Sequence, residues 1–165
     1  MATASHNFSV ELPSSLKPFL SELKVCIITA QWNQAITTSL KEGAVKRLEE
    51  VGISKKQIDF FDVPGTFELS YAANLAVNSE VYFDAIICIG CVIKGETDHD
   101  IYISHAVAQG ITQLNIQQDI PIIFCVLTTN NYKQAEERSG GALGNKGSEA
   151  ADTALQMIHL RKTIK

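Results

Sequence analysis

Four short runs of nearly unbroken apolar residues constrain this chain more than anything else in it. They read KVCIITA (24–30), IDFFDV (58–63), FDAIICIGCVI (83–93) and IPIIFCVLT (120–128). Runs of this length, rich in β-branched and aromatic side chains, mark strands buried on both faces. Between them the period changes: Ile36, Leu40, Ala44, Leu48 and Val51 recur every three to four residues, an amphipathic helix closed by Gly52. Further helices are expected over 66–78 and 98–117, and the remainder reads as helical with a break at SGGALGNKG (139–147). Strands alternating with helices dictate parallel pairing, right-handed crossovers and helices on both faces of one sheet. At 165 residues the chain is expected to form one domain, spanning 24–165. Residues 1–23, with Pro13 and Pro18, lie outside the pattern as a loose tail or an arm laid on a neighbouring subunit.

Composition removes several classes. A net charge of -4 and no basic stripe argue against nucleic-acid binding. No apolar run approaches the roughly 18–20 residues needed to span a bilayer, so no membrane partner is expected. The first twenty residues lack both a basic start before a long apolar block and any arginine, and they carry Glu11, so the expected location is cytoplasmic. Cys88 and Cys91 form a C-x-x-C inside an apolar run rather than at a helix start, and Cys26 and Cys125 stand alone in other runs. Small hydrophobes in strands explain all four better than redox or metal chemistry.

In an open parallel sheet, ligands bind beyond the carboxyl ends of the strands. That places the chemistry at QWN (31–33), PGTFE (64–68), KGETDHD (94–100) and TTNN (128–131). Trp32, the single tryptophan, can stack on a planar ligand or serve as half-buried packing. Thr97 is suited to cap a helix, with Asp98 and Asp100 in its first turn where they favour the dipole. Capping leaves His99 unexplained, and an imidazole there is placed for general acid–base work. Backbone N–H groups at 96–97 suggest a phosphate cradle. Arg138 offers a bidentate guanidinium, or else an ion pair with Glu136 or Glu137. The segment GGALGNKGS fails the Walker pattern in spacing and in context.

Taken together, Trp32-Asn33, VPGTFE (63–68), GCVIKGET-D-H (90–99), IPIIFCVLTT (120–129), QAEERSGG (134–141) and GNKG (144–147) resemble the lumazine synthase family over about residues 24–160. The resemblance implies a three-layer, flavodoxin-like α/β fold with a four-stranded parallel sheet in the order 2-1-3-4. It implies condensation of 5-amino-6-(D-ribitylamino)uracil with 3,4-dihydroxy-2-butanone 4-phosphate, the penultimate step of riboflavin biosynthesis. The products are 6,7-dimethyl-8-ribityllumazine, phosphate and water, formed without metal or redox cofactor. By position, His99 is then the proton-transfer residue and Lys146 a nearby cationic helper. Trp32 stacks on the uracil ring; Thr66, Phe67, Glu68, Cys91, Val92 and Ile93 line the ring and ribityl pocket. Glu96, Thr97 and Arg138 hold the phosphate, and Phe124 closes the pocket from an adjacent subunit. Family members are pentamers, some of which assemble into icosahedral shells of sixty subunits, and riboflavin synthase is an implied partner.

The sequence departs from the family at Asp100, where many members carry an aromatic after the histidine. A carboxylate at Asp98 would also repel a nearby phosphate. Two other classes share such a sheet. A phosphoacceptor receiver needs carboxylates after the first strand, and an FMN carrier a Ser/Thr/Gly-rich loop there; ITAQWN supplies neither. A catalytically weak flavin- or lumazine-binding relative, or a shell-forming one, is the remaining alternative.

Overall fold

The computed structural model describes residues 13–164. Four parallel strands form the central sheet: β1 (Val25–Ala30), β2 (Ile58–Val63), β3 (Ala85–Ile93) and β4 (Ile122–Thr129), in the order β2-β1-β3-β4. Five helices surround it: α1 (Gln34–Glu50), α2 (Leu69–Val77), α3 (His99–Gln117), α4 (Tyr132–Arg138) and α5 (Lys146–Ile164). The expected three-layer α/β architecture and strand order are both present. The break at 139–147 is a small hairpin of β5 (Ser139–Gly141) and β6 (Gly144–Asn145).

Three strands start later than their apolar runs, β1 by one residue and β3 and β4 by two. Pro121 has no N–H to give a ladder, and regular pairing begins at Ile122. Asp84 is occupied differently: its carboxylate accepts from Lys24 N at 2.9 Å and pairs with Arg161 at 3.4 Å. The helix expected from residue 66 opens as a 3-10 turn, Thr66–Glu68, and becomes α-helical at Leu69.

Alternation along the buried strands sorts the core into two layers. On one face Val25, Ile27, Ile87, Ile89, Cys125 and Leu127 meet Ile36, Leu40 and Leu48 of α1 and Leu155 and Ile158 of α5. On the other, Cys26, Ile28, Ile86 and Cys88 meet Leu69 and Ala73 of α2 and Val107 and Ile111 of α3. Helix α1 ends where the sequence says it should. Gly52, at φ 104°, lets Ile53 N reach Leu48 O at 2.9 Å and Gly52 N reach Glu49 O at 3.0 Å, while Leu48 and Ile53 are buried together.

Part of the segment outside the strand–helix pattern packs on this chain's own core. Leu16 and Leu23 are buried in the α1/α5 layer, and Gln57 Nε2 donates to Leu20 O and Leu23 O at 2.8 and 2.7 Å. Residues 1–12 of the expected arm lie outside the described residues.

Candidate active site

The parallel register brings all four carboxyl ends to one edge of the sheet, Ala30 beside Val63 and Ile93 beside Thr129. Two backbone bonds tie the loop after β1 to the loop after β2: Gln31 N donates to Val63 O at 2.9 Å and Trp32 N to Pro64 O at 3.3 Å. Asn33, held in the left-handed region at φ 58°, donates from Nδ2 to Cys91 O at 3.0 Å and so ties the same loop to β3. With both its neighbours fixed, Trp32 projects outward with 73% of its surface free. A Cβ built at Gly65 would lie 3.3 Å from Trp32 Cδ1, so the indole leans over the Pro64–Gly65 turn.

That turn is closed by Glu68, whose Oε2 accepts from Gly65 N at 2.9 Å. Glu68 therefore shapes the pocket wall through the backbone. Thr66 is buried against β3 at Gly90, where an added Cβ would stand 2.8 Å from both its methyl and its hydroxyl. Phe67 points the other way, 55% exposed. Cys91 is buried, so it backs the ledge while Val92 and Ile93 are half-buried at its lip. Trp32, Thr66, Phe67, Glu68 and residues 91–93 thus form one continuous ledge.

Beyond β3, Lys94 N donates to Thr129 O at 2.8 Å, and residues 95–98 form an exposed loop. Here the expectation for the cap is corrected. Asp98, not Thr97, is the N-cap of α3, its side chain makes no capping bond, and His99 is the first helical residue. Asp98 O already accepts from Ile101 N and Tyr102 N, which fixes the start of the helix one residue later than a Thr97 cap would. The orphan N–H groups of the first turn are therefore those of His99 and Asp100 rather than 96–97. Glu96, Thr97 and His99 are all exposed beside the ledge. Asp100 sits in the first turn, with Oδ1 shielded from solvent and unpartnered among the described residues.

Three expected site residues stand elsewhere. Phe124, Arg138 and Lys146 line an open cavity of about 780 Å³ along the outer edge of β4, together with Thr128 and Thr129 at its upper end. Trp32, Phe67 and His99 do not line it. Arg138 ends α4 and donates from Nη1 to Gln134 O at 3.0 Å, with no ion pair to Glu136 or Glu137. Lys146, the first residue of α5, is gripped by Glu149, with Nζ 2.7 Å from both carboxylate oxygens. Glu149 went unassigned in the sequence, although its i,i+3 spacing from Lys146 was the available signal. The cavity is thus a groove with two cations, one carboxylate and a 42% exposed phenyl ring.

The cysteines take no part in this chemistry. Burial pushes the Cys26 and Cys125 thiols up to about 12 and Cys91 up to about 11, and drives Cys88 higher still. A thiol held neutral is neither nucleophile nor ligand. Among the described residues, no three His, Cys, Asp or Glu side chains gather as a metal site, and no helix is long and apolar enough to cross a membrane.

Known proteins with the same pattern share it over the whole domain. The family model for 6,7-dimethyl-8-ribityllumazine synthase matches residues 22–162. A 6,7-dimethyl-8-ribityllumazine synthase of Porphyromonas gingivalis is 51% identical over 98% of this chain and 99% of its own length. Enzymes of the same name from Parabacteroides distasonis and Christiangramia forsetii are 46% and 44% identical, covering 96% and 100% of this chain and 98% of their own lengths in each case. Matched from end to end, with its ledge at the expected sheet edge, the chain belongs to the 6,7-dimethyl-8-ribityllumazine synthase family.

Proposed function

We propose that this chain condenses 5-amino-6-(D-ribitylamino)uracil with 3,4-dihydroxy-2-butanone 4-phosphate, releasing 6,7-dimethyl-8-ribityllumazine, phosphate and water. The observation that carries the reading is the ledge: an exposed indole, a backbone-tied turn over β3 and an exposed imidazole, all at the carboxyl ends of parallel strands. The reaction forms an imine between an aromatic amine and a ketone, expels phosphate and closes a ring. Its needs are two positioned substrates and a proton shuttle more than a strong electrophile.

Trp32 stacks on the uracil ring, and Thr66, Phe67, Val92 and Ile93 flank it, with Cys91 and Glu68 holding the wall behind. His99 moves protons between the reacting nitrogen and the leaving phosphate. Glu96 and Thr97 bind the phosphate through their loop, and Arg138 through its guanidinium. Lys146 adds positive charge near the anion, tempered by Glu149.

Ledge and groove are separate surfaces of one chain, which supports a site shared between copies. The groove of one subunit, carrying Phe124, Arg138 and Lys146, closes over the ledge of the next. A ring of such contacts uses the same pair of surfaces at every interface, and we assign it five subunits. Twelve rings in a hollow shell and riboflavin synthase as recipient of the product extend the same reading, whereas Leu16 and Leu23 of the expected 1–23 arm are buried in this chain's own core. The buried thiols suit a cytoplasmic enzyme. No observation favours a catalytically weak relative. Incubating the purified protein with both substrates tests the reaction: lumazine fluorescence is expected, and a folded protein yielding none would overturn it.

A further inference from the structure

The outer edge of β4 begins with a pairing that no strand supplies. Pro121 O accepts from Ile86 N at 3.0 Å, so that residue is turned toward β3. Successive residues of a parallel strand face their main-chain groups to opposite sides, and both groups of Ile122 therefore point away from the sheet. Asn115, in the last turn of α3, meets them there. Its Nδ2 donates to Ile122 O at 2.8 Å, and its Oδ1 accepts from Ile122 N at 2.9 Å. The same Nδ2 donates to Ile111 O at 3.1 Å, which anchors the amide to its own helix.

A carboxamide carries a donor and an acceptor side by side, the pair that an adjacent strand would present. Asn115 thus replaces a neighbouring strand at one residue only. The next residue of β4 with the same outward orientation is Phe124, which is 42% exposed, and both Asn115 and Phe124 line the groove. Phe124 is little restrained by packing on its outer side, so its direction is set by the main chain beneath it.

We propose that Asn115 is a positioning residue for the condensation: by clamping Ile122 it fixes the edge of β4 and holds Phe124 at the angle at which the groove meets a substrate ring. The assignment rests on the reading of Phe124 as substrate-lining. It also ends the open edge at its lower end, so that strand addition cannot begin there.

Three variants of the assembled enzyme test it: Asn115→Ala, Asn115→Asp and Phe124→Ala. Hydrogen exchange over residues 120–124 is read beside KM and kcat for each substrate. In Asn115→Ala the Ile122 amide should exchange roughly tenfold faster, as loss of a hydrogen-bond acceptor implies. KM for the uracil substrate should rise several-fold, with kcat within about twofold. Asn115→Asp keeps the acceptor for Ile122 N but sets a carboxylate oxygen against the Ile111 and Ile122 carbonyls. Exchange should therefore slow only part of the way back, and KM should stay raised. Unchanged exchange in Asn115→Ala would overturn the clamp. Faster exchange with unchanged KM, or a fall in kcat alone, would overturn the link to Phe124. An unaltered KM for both substrates in Phe124→Ala would instead bring down the reading of Phe124 itself, which separates the two failures.

Discussion

On the proposed reading, His99 and Arg138 are the residues on which the chemistry turns. Helix α3 starts at His99, so the ring leaves the first turn at the ledge rather than from a mobile loop. Removing it in His99→Ala should slow turnover by roughly 10–10⁴-fold while leaving the fold intact, as for other positioned acid–base groups. Steady-state rates beside a circular dichroism spectrum check this, and an unchanged rate would make His99 a bystander at the helix start. Arg138 has no carboxylate partner among the described residues, so its charge is available to an anion. Arg138→Ala should weaken the phosphate substrate roughly 10–100-fold and the uracil far less, the worth of one charge-assisted hydrogen bond. Equal weakening of both in binding measurements would assign it a structural task. The buried thiols make a pH prediction. Cys26 and Cys125 hold their protons up to about 12 when folded, against an ordinary value of 9.0 when unfolded. The folded chain then binds more protons than the unfolded one above pH 9.0, so stability is intact below that value and falls as pH rises toward about 12. Urea midpoints across this range should show the decline, and Cys26→Ala should lessen it, with the other three buried thiols still contributing.

At the scale of elements, the strands were legible because burial on both faces leaves continuous apolar runs, and α1 because its period and Gly52 agree. The edges were less so. Pro121 lacks the N–H that would extend the ladder, and the Asp84 carboxylate is taken by Lys24 N and Arg161, which composition does not reveal. Thr97 and Asp98 are both N-cap residues by propensity, and the chain turns at the second of them. The ledge residues were found as a set, whereas the Asn33 tie to Cys91 O and the grip of Glu149 on Lys146 depend on side-chain direction across elements. The packing of the 66–68 turn onto β3 gives this scale its test. Gly90→Ala places a methyl 2.8 Å from Thr66 and 3.0 Å from Leu69, and Thr66, buried in the turn, must shift to admit it. Overpacking of this kind costs about 1–3 kcal/mol. Denaturation should show that loss together with a raised KM for the uracil substrate, and wild-type values for both would contradict the seating described for Thr66.

Across the whole molecule, the division between ledge and groove matters most. Trp32 and Phe67 on one and Phe124 on the other are too exposed for a site that must enclose a flat heterocycle, and the chain also leaves Tyr102, at 73%, and Ile116, at 79%, open to solvent. Exposed aromatic and aliphatic surface on this scale is of the kind that the proposed contact between copies would cover. The sequence could suggest Phe124 as a neighbour's contribution only through the family resemblance, because periodicity places it inside a strand and says nothing of which edge is free. The sheet order makes β4 an outer strand and so opens that groove. Size-exclusion chromatography with in-line light scattering, assaying lumazine formation across the eluted fractions, tests the shared site most directly. The activity should follow a species with the mass of five chains or a multiple of it; full activity in a species with the mass of one chain would contradict the account.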